Sequence, residues 1–396
     1  MRTPRADTVC PDAGRRVIGA LRTALGSMMT QVQANVNVPS SAGAPGAGER
    51  LRIGFLGLSV WCIGSQANGV MAQARYQAAA LQRAGHEVIY LDMWRPTDPA
   101  TLDVVQFFIG GYGTHMVESV NPERVKMRVF APIIDSNEPN WRYRVAARLG
   151  TLHHKFTTVP GMFRMQALSS DLVIARSVHE RDRLVHGLGA DPSKVEIVLN
   201  GVDPPPTSDP TLARTKLGLP ESYALHVSIY HQSRKNAANL IRAVGPTGKP
   251  LVIAGAAVPS KGLDEIQALV RQYPNVRLLG YLDQEMLASV YAGAKVFCLP
   301  SEHEGTGLVA LEAATHGAAI LITANGGTHD YFLDMAEYTQ PHDVAGIRAA
   351  FERAWNAPPS TRLRDHVVQN LTWDQSAAAL VRAYRKHARP AARRGR

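Results

Sequence analysis

The sequence predicts an α/β protein built from two doubly wound parallel-sheet domains in series, facing each other across a cleft. Short apolar runs alternate with segments of helical period from residue 51 to about 356. A proline- and turn-rich stretch at 204–222 interrupts that alternation, after which it begins again. The body between the ends carries neither a disulfide framework nor a membrane span. A chain of 396 residues, 45% hydrophobic and 19% charged, has ample material for two cores.

The first domain, 51–203, opens with "RIGFLGL", a buried strand, and a helix over 68–84, "NGVMAQARYQAAALQRA", that closes at Gly85. The runs "EVIYLDM", "DVVQFFI", "VFAPII", "DLVIA" and "VEIVL" supply further strands. After the 204–222 linker, the second domain, 223–373, repeats the scheme. Strands "ALHVSIY", "PLVIAG", "VRLLGY", "KVFCLP" and "AAILIT" are separated by "KNAANLIRAV", "LDEIQALVRQY" and "QEMLASVYAG". Near-continuous apolar strands between helices imply parallel sheets covered on both faces. Such sheets bind ligands beyond the carboxyl ends of their strands, so the natural site is the cleft.

The net charge of +10 resides at the ends. Residues 1–50 hold six arginines against three acids, and 382–396 adds seven basic residues and no acid. The segment 51–381 carries equal numbers of each sign. No interleaved aromatic and basic face or zinc-finger spacing supports a nucleic-acid reader. The basic ends suit anionic lipid headgroups, or are solvated tails. "RRVIGALRTALGSMMTQV" (15–32) reads as an interfacial amphipathic helix or as a leader without fixed structure, and "VPSSAGAPGAGER" after it as a flexible linker. Cys10, Cys62 and Cys298 are odd in number and far apart, which fits a reducing cytoplasm. No run approaches the roughly eighteen apolar residues of a membrane helix.

The stretch "PSEHEGTGLVALEAATHG" (300–317) carries the chemistry. It follows a buried strand, passes Gly305 and Gly307, and starts a helix near Leu308. The unpaired amides of that helix, at the positive end of its dipole, suit an anion such as a phosphate. Glu312, one turn in, suits the vicinal diol of a ribose, and Glu304 stays in the loop within reach of a sugar hydroxyl. Retaining glycosidases hold their two carboxyls about 5–5.5 Å apart. Eight helical residues span about 12 Å, which argues against that role for the pair.

"LPSEHEGTGLVALEAATHGAAIL" resembles the signature of glycosyltransferase family 4, with its pair of glutamates separated by seven residues. "GVMAQARYQAAALQRAGHEV", "VLNGVD", "SRKNAANLIRAV", "LLGYLDQEMLASVYAGAKVFCLPS" and "LTWDQSAAALVRAY" are similar to other pieces of the family, in its order, over roughly 51–387. The resemblance implies a GT-B fold of two Rossmann-like domains, with 374–396 as a crossover helix and basic tail. It implies a metal-independent, retaining hexosyl-type transfer from a nucleotide-sugar to a hydroxyl of a glycan, lipid-linked saccharide or other glycoconjugate. By the same resemblance Glu304 contacts the transferred sugar, and Gly305, Thr306, Gly307, Leu308 and Val309 present amides to sugar or phosphate. Glu312 holds the ribose, Lys235 with Arg234 the diphosphate, and Tyr281 with Leu282 the base.

Three departures from the family pattern stand out. Tyr230, followed by His231, occupies a place where many relatives have arginine, and Thr306 one that is often aromatic. Asp135, in "APIIDSNEP", stands near the family's catalytic histidine; it accepts a sugar hydroxyl or caps the turn that follows. In the cleft, "CIGSQANG" lacks a complete dinucleotide fingerprint but offers Asn68 and Gly69 to an acceptor, and "GGYGTH" offers His115. Two other readings remain: a GT-B scaffold without turnover that binds a glycan or protein, and an epimerase or phosphorylase of the same fold. Removal of 1–48 and 388–396 is expected to weaken binding to anionic liposomes and leave donor turnover intact; unchanged binding in a flotation assay would discard the membrane role of the ends.

Overall fold

The computed structural model describes residues 49–57, 69–92, 94–108, 125–152, 158–203 and 209–388. The expectations for the basic leader, the tail beyond 388, Cys10, Cys62, Asn68 and His115 lie outside the described residues.

In the first domain β1 (Arg52–Leu56), α1 (Gly69–Arg83), β2 (Glu87–Tyr90), β3 (Val104–Phe108) and β4 (Arg128–Ala131) lead to two helices, α2 (Asn140–Leu152) and α3 (Val159–Ser169). Then come β5 (Leu172–Ala175), α4 (Val178–Asp182) and β6 (Val195–Ile197). The strands form one parallel sheet in the order β2-β1-β3-β4-β5-β6. Strand alternation assigns the faces. Val129 and Ala131 of β4 join a core with Ala78 and Leu81 of α1, while Phe130 points the other way, against Phe163 of α3.

The second domain starts inside the stretch expected as linker. There α5 (Pro210–Leu217) is capped by Asp209, and its Ala213 is buried in the same core as Tyr223 and Tyr291. Next come β7 (Tyr223–Val227), α6 (Ala237–Val244), β8 (Leu251–Ala254), α7 (Lys261–Gln272), β9 (Val276–Gly280), α8 (Gln284–Ala292) and β10 (Ala294–Leu299). After them follow α9 (Leu308–Thr315), β11 (Ala319–Thr323), α10 (His329–Phe332), β12 (Glu337–Thr339), α11 (Val344–Asn356), α12 (Arg362–Asn370) and α13 (Trp373–His387). This sheet is also wholly parallel, in the order β12-β11-β10-β7-β8-β9. Strand order reverses between β7 and β10, and the loops leaving those two strands diverge from one crevice. That is where an open parallel sheet accepts a ligand.

The chain passes between the domains twice, side by side. The Val202 amide donates to the Leu371 carbonyl at 2.8 Å, and Val202 bridges Thr372 as a short parallel pair. Gly201 makes this approach possible, since a Cβ there would meet the Trp373 nitrogen at 2.2 Å. Past this crossing, α13 returns to the first domain. Its Trp373 stacks on Tyr76 of α1, and Trp373, Leu380 and Tyr384 complete the first domain's core. Tyr384 donates at 2.6 Å to Gln106, a fully buried amide in the middle of β3. Lys386 and His387 close on Glu196 of β6. Tyr384→Phe strands the buried Gln106 oxygen and is expected to cost about 1–3 kcal/mol. Urea unfolding measures this, and an unchanged midpoint would show that the hydrogen bond does not hold the crossover helix.

Candidate active site

Lys235 reaches the crevice on a tight turn, Ser233–Lys235, that ends at Asn236 in the left-handed conformation, φ 57. The Asn236 side chain donates to the Pro300 carbonyl at 2.8 Å, which fixes the β7 loop to the end of β10. The backbone joins the same two loops again, where the Glu302 amide donates to the Arg234 carbonyl. In consequence the Lys235 ammonium stands 2.6 Å from Glu304 Oε1, with both side chains largely shielded from solvent. The family resemblance gave each group a role; the contact between them is a product of this double tether.

Glu304 is held by its backbone as well as by Lys235. It forms a short parallel bridge with Gly326, receives the Gly327 amide at 3.0 Å and donates to the Asn325 carbonyl. Gly326 has φ 107, and a Cβ on it would lie 2.1 Å from the Glu304 carbonyl oxygen. Only glycine fits there. "NGG" at 325–327 was a legible turn signal that the sequence reading did not use.

Gly305 lies beneath a wall supplied by the first domain. A Cβ on Gly305 would meet Asp135 Oδ1 at 2.5 Å and the Arg176 guanidinium at 2.8 Å. Asp135 accepts from Arg176 at 2.9 Å, and Arg176 also donates to both Glu180 oxygens, at 3.1 and 2.9 Å. Glu180 in turn receives the amides of Ile134 and Arg176, so the turn that presents Asp135 is built on it. That turn holds Ile133 at φ 55, a strained conformation for a β-branched residue and one found mostly where structure serves a site. Burial alone would raise the Asp135 carboxyl; the charge and hydrogen bond of Arg176, with His303 and Lys235 nearby, outweigh it and hold the group below its ordinary 3.8. Arg176 and Glu180 were not singled out from the sequence, although they stand four apart just after a strand.

The remaining expected residues divide. Gly307 is the left-handed N-cap of α9, φ 76, so no side chain caps the first amides of that helix, including those of Leu308 and Val309. Thr306 faces inward instead: its hydroxyl accepts from Asn200 at 3.0 Å and lies 3.3 Å from the Tyr331 hydroxyl. Tyr331 joins the domains there, donating to the Arg176 carbonyl at 2.7 Å and accepting the Asn200 amide at 3.0 Å. Tyr281 is exposed, and Leu282 packs half-buried on the cluster that holds Leu308 and Val309. Gly69 begins α1.

His303 is buried with neither ring nitrogen hydrogen-bonded, its ring 5.4 Å from that of His179. Burial lowers its pKa, so the ring is neutral near pH 7. It borders a cavity of about 400 Å³ between the domains, with Asp135 to Pro139 and Arg142 on one side and Arg234 and Glu302 on the other. Behind Lys235, His226 is fully buried between the Cys298 carbonyl and Ser228 Oγ, and burial pushes it down to about 4. Among the described residues, no three His, Cys, Asp or Glu side chains gather as a metal site requires.

Residues 221–356 match the family model for glycosyl transferases group 1. Over those residues the second domain is similar to the group 1 glycosyl transferases. At the sequence level, this chain is 30% identical over 247 residues to the D-inositol 3-phosphate glycosyltransferase of Salinispora arenicola, over 54% of each chain. The Streptomyces coelicolor enzyme of the same name gives 29% over 270 residues, 56% of this chain and 58% of that one. The chain thus spans about half the length of the curated relatives it matches. The architecture extends further than this sequence similarity. Sucrose-phosphate synthase from Thermosynechococcus elongatus superposes with a TM-score of 0.66 at 18% identity, over 85% of this chain and 99% of that one. Anabaena HepE, solved with UDP, gives 0.64 at 15%, over 85% and 100%. The described residues of both domains therefore share the GT-B fold, as expected from the sequence.

In the second domain Glu312 occupies α9 and accepts the Tyr291 hydroxyl at 2.9 Å. Burial pushes its pKa from the ordinary 4.5 up to about 7, with Tyr291 pulling only partly the other way. Between those values the folded state keeps a proton that the unfolded state has lost, so this group's contribution to stability falls as pH rises through the interval. Glu312→Gln is expected to gain about 3 kcal/mol on the wild type on going from below pH 4.5 to above 7. Urea unfolding at both ends of the range reads this; a difference that stays constant with pH would show that Glu312 titrates normally.

Proposed function

We propose that the chain is a retaining glycosyltransferase that moves a sugar from a nucleotide-sugar to a hydroxyl of a glycan, lipid-linked saccharide or other glycoconjugate. The observation that carries this reading is the convergence of Lys235, Glu304 and the uncapped amides of α9 at the strand-order reversal of a domain similar to the group 1 glycosyl transferases. Departure of a nucleoside diphosphate builds negative charge, and fixed positive groups must meet it. On this reading Lys235 and the N-terminus of α9 meet it without a metal, and Arg234 adds charge at the cavity wall. Glu304, released from Lys235 as phosphate replaces it, takes a hydroxyl of the transferred sugar. Glu312 takes the ribose, for which it must be ionised. Asp135, kept ionised by Arg176, faces the sugar from the acceptor side. Retention then follows if the leaving phosphate receives the acceptor's proton on the same face of the sugar.

A uridine nucleotide is the favoured donor, since HepE, a neighbour in fold, is solved with UDP and with UDP-glucose. The names of the inositol-phosphate relatives, and a Burkholderia xenovorans trehalose-phosphate synthase solved with glucose-6-phosphate, favour a polar or phosphorylated acceptor over a protein side chain. One observation favours the scaffold reading instead: Asp135 and Arg176 of the first domain already press on Gly305, where a sugar would lie.

A thermal-shift series with UDP, GDP, ADP, CMP and dTDP in the presence of a chelator separates the two. A nucleotide at about 100 times its Kd stabilises by about 2.7 kcal/mol. The expected result is a shift with UDP in the wild type that Lys235→Ala loses, together with a fall of about 10²–10³ in kcat/KM. No shift with any nucleotide would assign the fold to a scaffold.

A further inference from the structure

Six of the fourteen large apolar side chains left exposed among the described residues lie between Trp141 and Leu168, on the helix pair inserted between β4 and β5. On α2 they form one stripe. Trp141, Val145 and Leu149, spaced by four, are 61%, 49% and 55% exposed. Arg144 and Arg148 run along one flank of the stripe, Arg144 also donating to the His186 carbonyl; Arg142 lies on the other flank, its guanidinium 5.5 Å above the Trp141 ring and paired with Glu138 at 3.0 Å. The opposite face of α2 is spoken for: Ala147 is buried, and Gly150 packs on Thr158 and Gly161 of α3. Neighbouring α3 leaves Val159, Met165 and Leu168 exposed. Neither helix contains an acidic residue.

An exposed helix face ordinarily has polar side chains at its centre. Here the centre is apolar and the margins are cationic, which is the pattern of a helix lying in a lipid interface. We infer that α2 docks this chain on an anionic bilayer, with Trp141, Val145 and Leu149 entering the acyl boundary and the cationic flank of Arg144 and Arg148 meeting headgroup phosphates. Sign of charge chooses this occupant over the others. A second copy of the chain would bring another basic helix, and the chain's own 1–48 segment is itself basic. Only an anionic surface satisfies the apolar stripe and its arginine margins together.

Docking would have a consequence for the cavity. Pro139 and Arg142 line it at the start of α2, so the helix on the membrane is continuous with the cavity wall. The acceptor would then be carried in the bilayer as a glycolipid or lipid-linked saccharide; that clause rests on the transferase reading, whereas docking does not.

Flotation of the full chain with phosphatidylcholine vesicles, alone or mixed with phosphatidylglycerol, tests the inference. Wild type is expected to float with the mixed vesicles and much less with the neutral ones. Trp141→Ser combined with Leu149→Ser is expected to weaken that partition by at least about tenfold, through lost apolar burial. Arg148→Gln is expected to weaken it by roughly fivefold, the worth of one interfacial charge. All these positions are exposed, and an unchanged melting temperature confirms that the variants fold. Equal flotation of wild type and double variant would assign binding to the basic ends and overturn the proposal. So would absence of wild-type flotation, equal affinity for neutral vesicles, or variants that abolish a dimer in light scattering without changing flotation. The nucleotide thermal shift, read on the same samples, tells failure of docking apart from failure of the transferase reading.

Discussion

The guanidinium of Arg176 is buried at the seam between the two domains, and three contacts to carboxylate oxygens keep it there. A buried cation left without partners would cost several kcal/mol, so Glu180 and Asp135 are held in place by the demand they satisfy. That demand organises the wall that the first domain supplies. Glu180 gathers the amides behind Asp135, Asp135 faces Gly305, and the Arg176 carbonyl receives Tyr331 from the second domain. Through Tyr331 the network continues to Asn200, Thr306 and Gln73. The two domains thus meet through matched polar groups beside the site and through α13 packed as a core helix away from it.

Facing this wall, Lys235 and Glu304 neutralise each other. On the proposed reading the pair marks the two ends of the donor: the cation for the diphosphate, the carboxylate for the sugar. A ligand that brings a phosphate to Lys235 and a hydroxyl to Glu304 replaces one strong contact with two, so both groups keep partners throughout. The pair is poised because two loops from neighbouring strands are tied by Asn236 and by the Arg234–Glu302 backbone contact, while the Gly326–Gly327 turn after β11 holds the Glu304 backbone.

Much of this was legible before any coordinates. Alternating strand and helix patterns, with their apolar strands, gave two parallel sheets, and the strand–glycine–helix stretch at 300–317 gave the turn that opens α9. Less legible were α2 and α3. Their surface is apolar where the period rule expects polar residues, so the pattern of a half-buried helix is absent from "NWRYRVAARLGTL". Residues 209–222 read as linker because proline and turn residues dominate them, although Pro210 only opens α5 and Asp209 caps it.

The sequence by itself determined the fold class, the order of the strands along the chain and the residue types at their ends, because periodicity and turn chemistry are local. Tertiary structure decided which of those ends meet. Lys235 finds Glu304 only because β7 and β10 are neighbours across the order reversal, and the Asp135 carboxyl is held below its ordinary range chiefly by Arg176, which arrives from the end of another strand. Glu312 acquires its raised pKa from burial beside Tyr291, an environment no local spacing encodes. Pairing and desolvation belong to the folded chain, and the chemistry proposed for this site depends on both.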